Sequence, residues 1–369
     1  GVTDQLATFN ATGNSLDCIE VNAEDVDYAT ENWTNANGNI DDGVGFSVVC
    51  APEGYTYVPD NNFEQALINL GYDDVLNDFV FTENISGVTS LDVSNNEISD
   101  LTGIQGFTAL TYLSCGFNQL TALDVSNNTA LDNLDCVVNQ LTSLDVSANT
   151  ALNGLWIYDN SLSSLDVSSN PVLTGLYCQQ NQLTSLDLGA NTSLTTLYCS
   201  DNQLTSLDVS SNTSLDALEF GNNQLTSLDV SANTSLTNLY CSYNQLTSLD
   251  VSANTSLTNL YCRDNQLTSL DVSANTSLTT LDCAYSQLTY LNMRNGVTDQ
   301  SIEFLAMGND LTCIEVLDSD YATANWTNDN GNIDEGVTFD FICGSEVQTH
   351  WYVATTGSDN SGSGALASP

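Results

Sequence analysis

From Leu113 to Leu291 the chain repeats itself every 21 residues, and this period limits its fold more tightly than any other feature. One copy, Leu257–Ser277, reads LTNLYCRDNQLTSLDVSANTS, and the copy before it, from Leu236, reads LTNLYCSYNQLTSLDVSANTS. The first half of each copy is LxxLxCxxNxL, and the second half, LxxLDVxxN, is a similar phrase ten residues on. Around L-Y-C and L-D-V the apolar residues alternate, as half-buried extended chain requires. Each copy is therefore expected to form one turn of a coil with two short extended edges. A single coil buries too little to offset the ordering of its backbone, so stability must come from stacking on its neighbours.

Stacking turns each position of the repeat into a line of equivalent side chains. One slot holds Cys115, Cys136, Ile157, Cys178, Cys199, Phe220, Cys241, Cys262 and Cys283. Ile and Phe in the same slot mark it as apolar, and its seven cysteines read as small hydrophobic core residues. A disulfide fits in-register parallel neighbours poorly, and a chain of metal sites is the other alternative. Two asparagine series, one from Asn118 to Asn265 and one from Asn128 to Asn275, are expected to line corners, where amides satisfy backbone groups freed at the bend.

Composition closes off several functions. Arg263 and Arg294 are the only cationic side chains against 47 acidic residues, a net charge of -45. Phosphate binding needs Lys and Arg, and so small a number excludes nucleic acid as partner and argues against anionic lipid. His350 is the single histidine, so His-based triads and metal sites lack their central group. No run of 18 apolar residues is present to span a membrane as a helix. An acidic surface stays hydrated at high salt, which points to a salty extracellular setting.

These motifs resemble the leucine-rich repeat family, in its bacterial 21-residue nested subclass. The opening coil LDVSNNEISDLTGIQGFTALTYL is a 22-residue step similar to internalin-type repeats. The resemblance implies a right-handed solenoid of mostly short parallel strands, about ten coils over residues 88–295, used for binding rather than for a reaction. Similar repeats with the same caps occur in large secreted and surface proteins of marine Bacteroidota.

Residues 51–87 are expected to form a linker and an N-terminal cap. In DNNFEQALINL, Phe63, Ala66, Leu67 and Leu70 fall on one helical face over residues 60–70, and Asp60 is placed to cap it. Residues 296–343 close the array, and residues 1–50 repeat that segment almost verbatim. CIEV recurs at Cys18 and Cys313, and DYATENWTNANGNIDDGV from Asp27 matches DYATANWTNDNGNIDEGV. Residues 1–50 then read as the closing cap of a preceding array, within a chain that is a piece of something longer. Each copy keeps a cysteine pair outside the ladder, which predicts disulfides Cys18–Cys50 and Cys313–Cys343 and an oxidising compartment; buried free thiols are the alternative. Residues 344–369 read as a linker, and the phrase WYVATTGSDNSGSG resembles the start of a right-handed parallel β-helix domain.

No catalytic residue is expected. The residue between Leu and Cys on the first edge should point outward, giving a row that includes Trp156, Tyr177, Tyr198, Tyr240 and Tyr261 with acidic interruptions. Tyr158, Tyr243 and Tyr285 extend it in this reading. Such a row suits carbohydrate or protein contact, although aromatic stacking for stability alone is the favoured explanation. On the other edge runs Asp124, Asp145, Asp166, Asp187, Asp208, Asp229, Asp250 and Asp271, with Asp92 before it. Local hydrogen bonds to each carboxylate are the favoured explanation, and Ca²⁺ on this acidic surface is the alternative. The expected partners are a cell-surface glycan or protein, or copies of the chain itself in a homo-oligomer. Three roles follow for a non-enzymatic extracellular or cell-surface segment: scaffold and adhesive surface, subunit of a filament or appendage, or binding module beside a polysaccharide-acting β-helix enzyme.

Overall fold

The computed structural model describes residues 9–14, 16, 18–22, 25–47, 49–296 and 303–344. The tail phrase WYVATTGSDNSGSG and His350 lie outside them. The chain divides into two compact units, 1–193 and 194–369.

In the first unit five parallel strands stack in register: Ser90–Asp92, Tyr112–Ser114, Asn133–Asp135, Gly154–Trp156 and Gly175–Tyr177. In the second unit six do so: Thr196–Tyr198, Ala217–Glu219, Asn238–Tyr240, Asn259–Tyr261, Thr280–Asp282 and Glu303–Leu305. Leucine aligns with leucine at the centre of each strand, and Leu113, Leu134, Leu155, Leu176, Leu197, Leu218, Leu239, Leu260 and Leu281 are all fully buried. In the last strand Phe304 takes the leucine position opposite Leu281, so the closing cap carries the ladder one coil past the 21-residue repeats.

Every member of the cysteine slot is likewise fully buried, including Ile157 and Phe220. All seven cysteines there are free thiols. Burial raises the pKa of Cys115, Cys136, Cys178, Cys241, Cys262 and Cys283, to about 12 for Cys178 and Cys241, because the thiolate would lose its hydration. We expect the folded protein to resist a thiol-alkylating reagent at pH 8 and to take up seven equivalents once denatured. Modification before unfolding would show that the ladder is accessible.

The two asparagine series tie coil to coil in different ways. In the first, Asn139 donates from Nδ2 to the carbonyls of Cys115 and Cys136 (3.1 and 3.2 Å) and accepts the Leu120 N–H at Oδ1 (3.0 Å). In the second, Asn149 is fully buried and donates to the carbonyls of Val125 and Asn128 (3.0 and 2.9 Å). That amide explains why the second edge differs from expectation. Between Asp124 and Asp271 it forms a ladder contact only at the Asp124–Asp145 bridge and in Ser269–Asp271, which pairs with Tyr290–Met293. The Val125 carbonyl is already taken by Asn149 and by the Asn128 N–H, and the Ser126 N–H by Asp124. The edge stays extended, but side chains and turns hold most of the groups a strand ladder would use.

The N-terminal cap contains a helix, Asn61–Leu70, capped by Asp60, whose Oδ1 accepts the N–H groups of Asn62 and Phe63. Its other oxygen accepts from the Ser99 and Asp100 N–H groups and so pins the helix start to the opening coil (2.8 and 3.0 Å). Phe63, Ala66 and Leu67 are buried as the spacing predicts. Leu70 is not, being 48% exposed at the last turn, where Gly71 in the left-handed conformation turns the chain away.

The two cap copies share one design. Cys313–Val316 pairs in parallel with Thr338–Asp340 around the helix Ser319–Asn325, and Cys18–Glu20 pairs with Gly45–Ser47 around Val26–Asn32. Trp326 packs between Phe304 and Phe339, as Trp33 packs between Phe9 and Phe46. Both expected disulfides are present, each with a Cα–Cα distance of 5.7 Å. Arg294 serves this closure: its guanidinium meets Glu315 at 3.0 Å and lies over the Phe341 ring.

Candidate binding face on the strand ladder

Each strand buries its central leucine and turns the next residue out. In the first unit this outward row is Asp92, Ser114, Asp135, Trp156 and Tyr177. Asp92 therefore belongs to this face and not to the acidic row of the second edge, because Leu91 pairs with Leu113 across the 22-residue opening step. The Trp156 and Tyr177 rings stack 5.4 Å apart at 8°. Both lie down along their own strands, a feature the repeat pattern alone does not reveal. A Cβ on Gly154 would sit 2.5 Å from the Trp156 ring, and one on Gly175 would sit 3.1 Å from the Tyr177 ring. Glycine occupies this slot in those two coils, whereas Asn133, Thr196, Asn238 and Asn259 fill it elsewhere.

In the second unit the row is Tyr198, Glu219, Tyr240, Tyr261 and Asp282. Tyr240 and Tyr261 stack at 4.9 Å and 14°, the spacing of adjacent strands. Rings stacked along the ladder turn edges and hydroxyls outward and keep their faces for one another. Only a ring at the end of such a stack, or beside a short side chain, has a face left for a ligand. The five aromatic residues expected to form one row thus sit in the expected slot, all half-buried.

Tyr158, Tyr243 and Tyr285 do not extend that row as one line. Tyr158 follows Ile157 directly, while Tyr243 and Tyr285 stand two residues after their cysteines. That second position is left-handed in every coil, from Phe117 (φ 55) through Val138, Asp159, Gln180, Asp201, Asn222, Tyr243 and Asp264 to Tyr285 (φ 51). Asn and Asp tolerate this conformation, whereas an aromatic or β-branched residue carries strain of about 1 kcal/mol or more. Yet Phe117, Tyr243 and Tyr285 stand there 54%, 50% and 45% exposed. The signal was available in C-x-x-N, where the residue before Asn must bend the strand into its corner.

Arg263, which entered the sequence reading only as a charge, lies at the centre of this second line. Its guanidinium is 5.8 Å from the Tyr243 ring centroid and 5.2 Å from that of Tyr285. Its Nε meets Asp264 at 3.0 Å, and Nη1 meets the nearly buried Asp282 at 3.4 Å.

The acidic row on the second edge is exposed throughout. In Asp124, Asp145, Asp166, Asp208, Asp229, Asp250 and Asp271, Oδ1 accepts the N–H of the serine two residues on, at 2.8–2.9 Å; Asp187 does the same with Gly189 at 3.0 Å. The serine hydroxyl and N–H hold Asp124, Asp145, Asp166, Asp208, Asp229 and Asp250 below the usual carboxylate range. A depressed pKa contributes stability above the unfolded value, near about 4, and loses it as pH falls through the folded one. We therefore expect the melting temperature to drop below about pH 4. Relief of acidic repulsion alone would make it rise, so a monotonic rise down to pH 2.5 would refute these bonds. Among the described residues no group of three or more His, Cys, Asp or Glu is placed to hold a metal ion.

Comparison with known proteins places this geometry in a family. The model of leucine-rich repeats (2 copies) matches residues 86–128 and 171–212. A solved functional domain of InlJ from Listeria monocytogenes, described as including a cysteine ladder, is 33% identical, with 74% of each chain covered and a TM-score of 0.58. The chain belongs to the leucine-rich repeat family. Internalin J of Listeria monocytogenes is 42% identical over 73 residues, a stretch spanning 8% of that protein's length. A leucine-rich repeat protein of Leptospira interrogans (23% identity, 64% of this chain and 67% of that one, TM-score 0.56) shares the fold. So does a plant peptide hormone receptor, RGFR1, solved in complex with RGF2 (23% identity, 70% and 45%, TM-score 0.60). As a bacterial leucine-rich repeat protein the chain carries its own cysteine ladder, in the slot read from its sequence as apolar core.

Proposed function

We propose that this chain is a non-enzymatic, extracellular segment of a larger bacterial surface protein, acting as a rigid scaffold that presents its strand face to a partner. The observation that carries the reading is the way the face is built. Gly154 and Gly175 clear space for the Trp156 and Tyr177 rings, and three exposed aromatics occupy strained left-handed positions that stability alone would give to Asn or Gly. The likeness to internalin J and the two disulfides support a surface setting. The test is binding of the purified chain to glycan arrays and to intact cells. The double variant Trp156→Ala/Tyr177→Ala is expected to lose at least ten-fold in binding with its melting temperature kept. Undiminished binding in that variant would refute the assignment of the face.

A second reading, a structural spacer in an extracellular assembly, is favoured by the duplicated cap, which suits repeated arrays in tandem along one polypeptide. It predicts lateral or end-to-end association of the chain and no binding to glycans or cells. Ca²⁺ on the acidic row would serve either role; a melting temperature unmoved by chelator or millimolar Ca²⁺ would dismiss it.

A further inference from the structure

The line of left-handed residues contains a worked example of what this surface holds. On three successive coils it presents Tyr243, Asp264 and Tyr285. Between the two rings, with its Nε donating to the Asp264 carboxylate, sits the guanidinium of Arg263. Ring, carboxylate, ring at one-coil intervals thus makes a seat for a planar organic cation.

The strand face, three residues earlier in each coil, presents the same order. Tyr198, Glu219 and Tyr240 are in register on three adjacent strands. Two strand spacings, roughly 10 Å, separate the Tyr198 and Tyr240 positions, so a cation seated midway would lie roughly 5 Å from each. That is within the about 6 Å over which a ring face attracts a cation. Tyr240 gives one face to Tyr261 and so turns the other toward the Glu219 strand. The Ser200 hydroxyl donates to Glu219 Oε1 at 2.8 Å and steadies the carboxylate. Both arginines of the chain are engaged elsewhere, Arg263 with Asp264 and Asp282 and Arg294 with Glu315. A chain of net charge -45 also draws a cationic partner over distance.

We propose that Tyr198, Glu219 and Tyr240 form a binding site for the guanidinium of an arginine side chain on a basic protein segment. The inference rests on the strand face being a binding face and names the chemistry of its partner there. A guanidinium suits the site better than an ammonium, since its flat faces meet both rings while its N–H groups reach the carboxylate edge-on.

The test is calorimetric titration of the whole chain with N-acetyl-Gly-Arg-Gly-amide and with the same peptide carrying uncharged citrulline. The arginine peptide is expected to bind at one site and the citrulline peptide at least ten-fold more weakly. Glu219→Gln and Tyr240→Leu are each expected to weaken the arginine peptide at least ten-fold with the melting temperature retained. Because Glu219→Gln changes no volume, it decides the matter if Tyr240→Leu perturbs the fold. Arg263→Ala should vacate the second seat and raise the stoichiometry from one to two. Equal binding of both peptides, or wild-type affinity in Glu219→Gln, would overturn the site, since removing one charge among 47 acidic residues leaves diffuse attraction intact. If Trp156→Ala/Tyr177→Ala abolishes cell or glycan binding while no arginine peptide binds, the face stands and this site falls.

Discussion

Replacing Asn128 by Asp is expected to unfold the coils around it, while the same change at the adjacent Asn127 goes almost unnoticed. Asn128 is fully buried, and its Nδ2 donates to the carbonyls of Ile104 and Phe107 at 2.9 and 3.0 Å. An ionised Asp there would lose both bonds and set a carboxylate against two carbonyl oxygens, away from water. Leaving a buried charge without its partner costs about 3–5 kcal/mol. Asn127 is exposed, and its substitution should stay within about 0.5 kcal/mol. The cost at Asn128 should also depend on pH. Burial would raise the new carboxyl's pKa above its unfolded value, so the variant should approach the wild type near pH 4 and fall away as pH rises. Denaturant midpoints followed by circular dichroism decide it, and matching midpoints for the two variants would remove the asparagine series from the list of what holds the coils together.

Phe220→Ala is expected to cost about 3–5 kcal/mol, the usual penalty for emptying a ring's volume in a core. The more telling change is Phe220→Cys, which restores the residue most coils carry in that slot. A consensus argument makes it neutral or favourable. The structure predicts a loss, because the ring is fully buried between coils whose own slots hold the small Cys199 and Cys241. With cysteines in both adjacent slots, a thiol in its place is expected to leave the ring's volume as a cavity. The converse Cys241→Phe should overpack the same layer by about 1–3 kcal/mol. Phe220→Cys as stable as the wild type in denaturant would show that the slots relax independently of one another.

Much of this protein is legible in one dimension because its coils contact mainly their neighbours. The 21-residue period forces equivalent residues into lines, so Leu, Cys and Asn acquire their environments from the repeat itself. The disulfides were legible for a related reason, since a second copy of the cap kept both cysteines of each pair. Where the reading failed, a residue's position within the coil was the missing quantity. Asp92 lies in a phrase that looks like the second edge, yet the 22-residue opening step puts it on the strand face. Tyr243 and Tyr285 look like extra members of the tyrosine row, but the left-handed turn after each cysteine moves them to another line. Leu70 fits the helical period, but the chain turns away at Gly71 before that position is covered.

The sequence by itself determined the stack, its buried lines of Leu, Cys and Asn, and the pairing of its cap cysteines. It did so because hydrophobic burial and coil-to-coil hydrogen bonding recur with the repeat. Only the tertiary structure decided where individual side chains lie on the surface: Trp156 over Gly154, Tyr240 against Tyr261, and Arg263 between Tyr243 and Tyr285. Such contacts lie along one strand, as for Trp156, or join side chains one coil apart, across gaps set by strand spacing and by the corner that follows each strand. A repeat specifies the register, but which ring keeps a face free depends on what the adjacent coils place beside it.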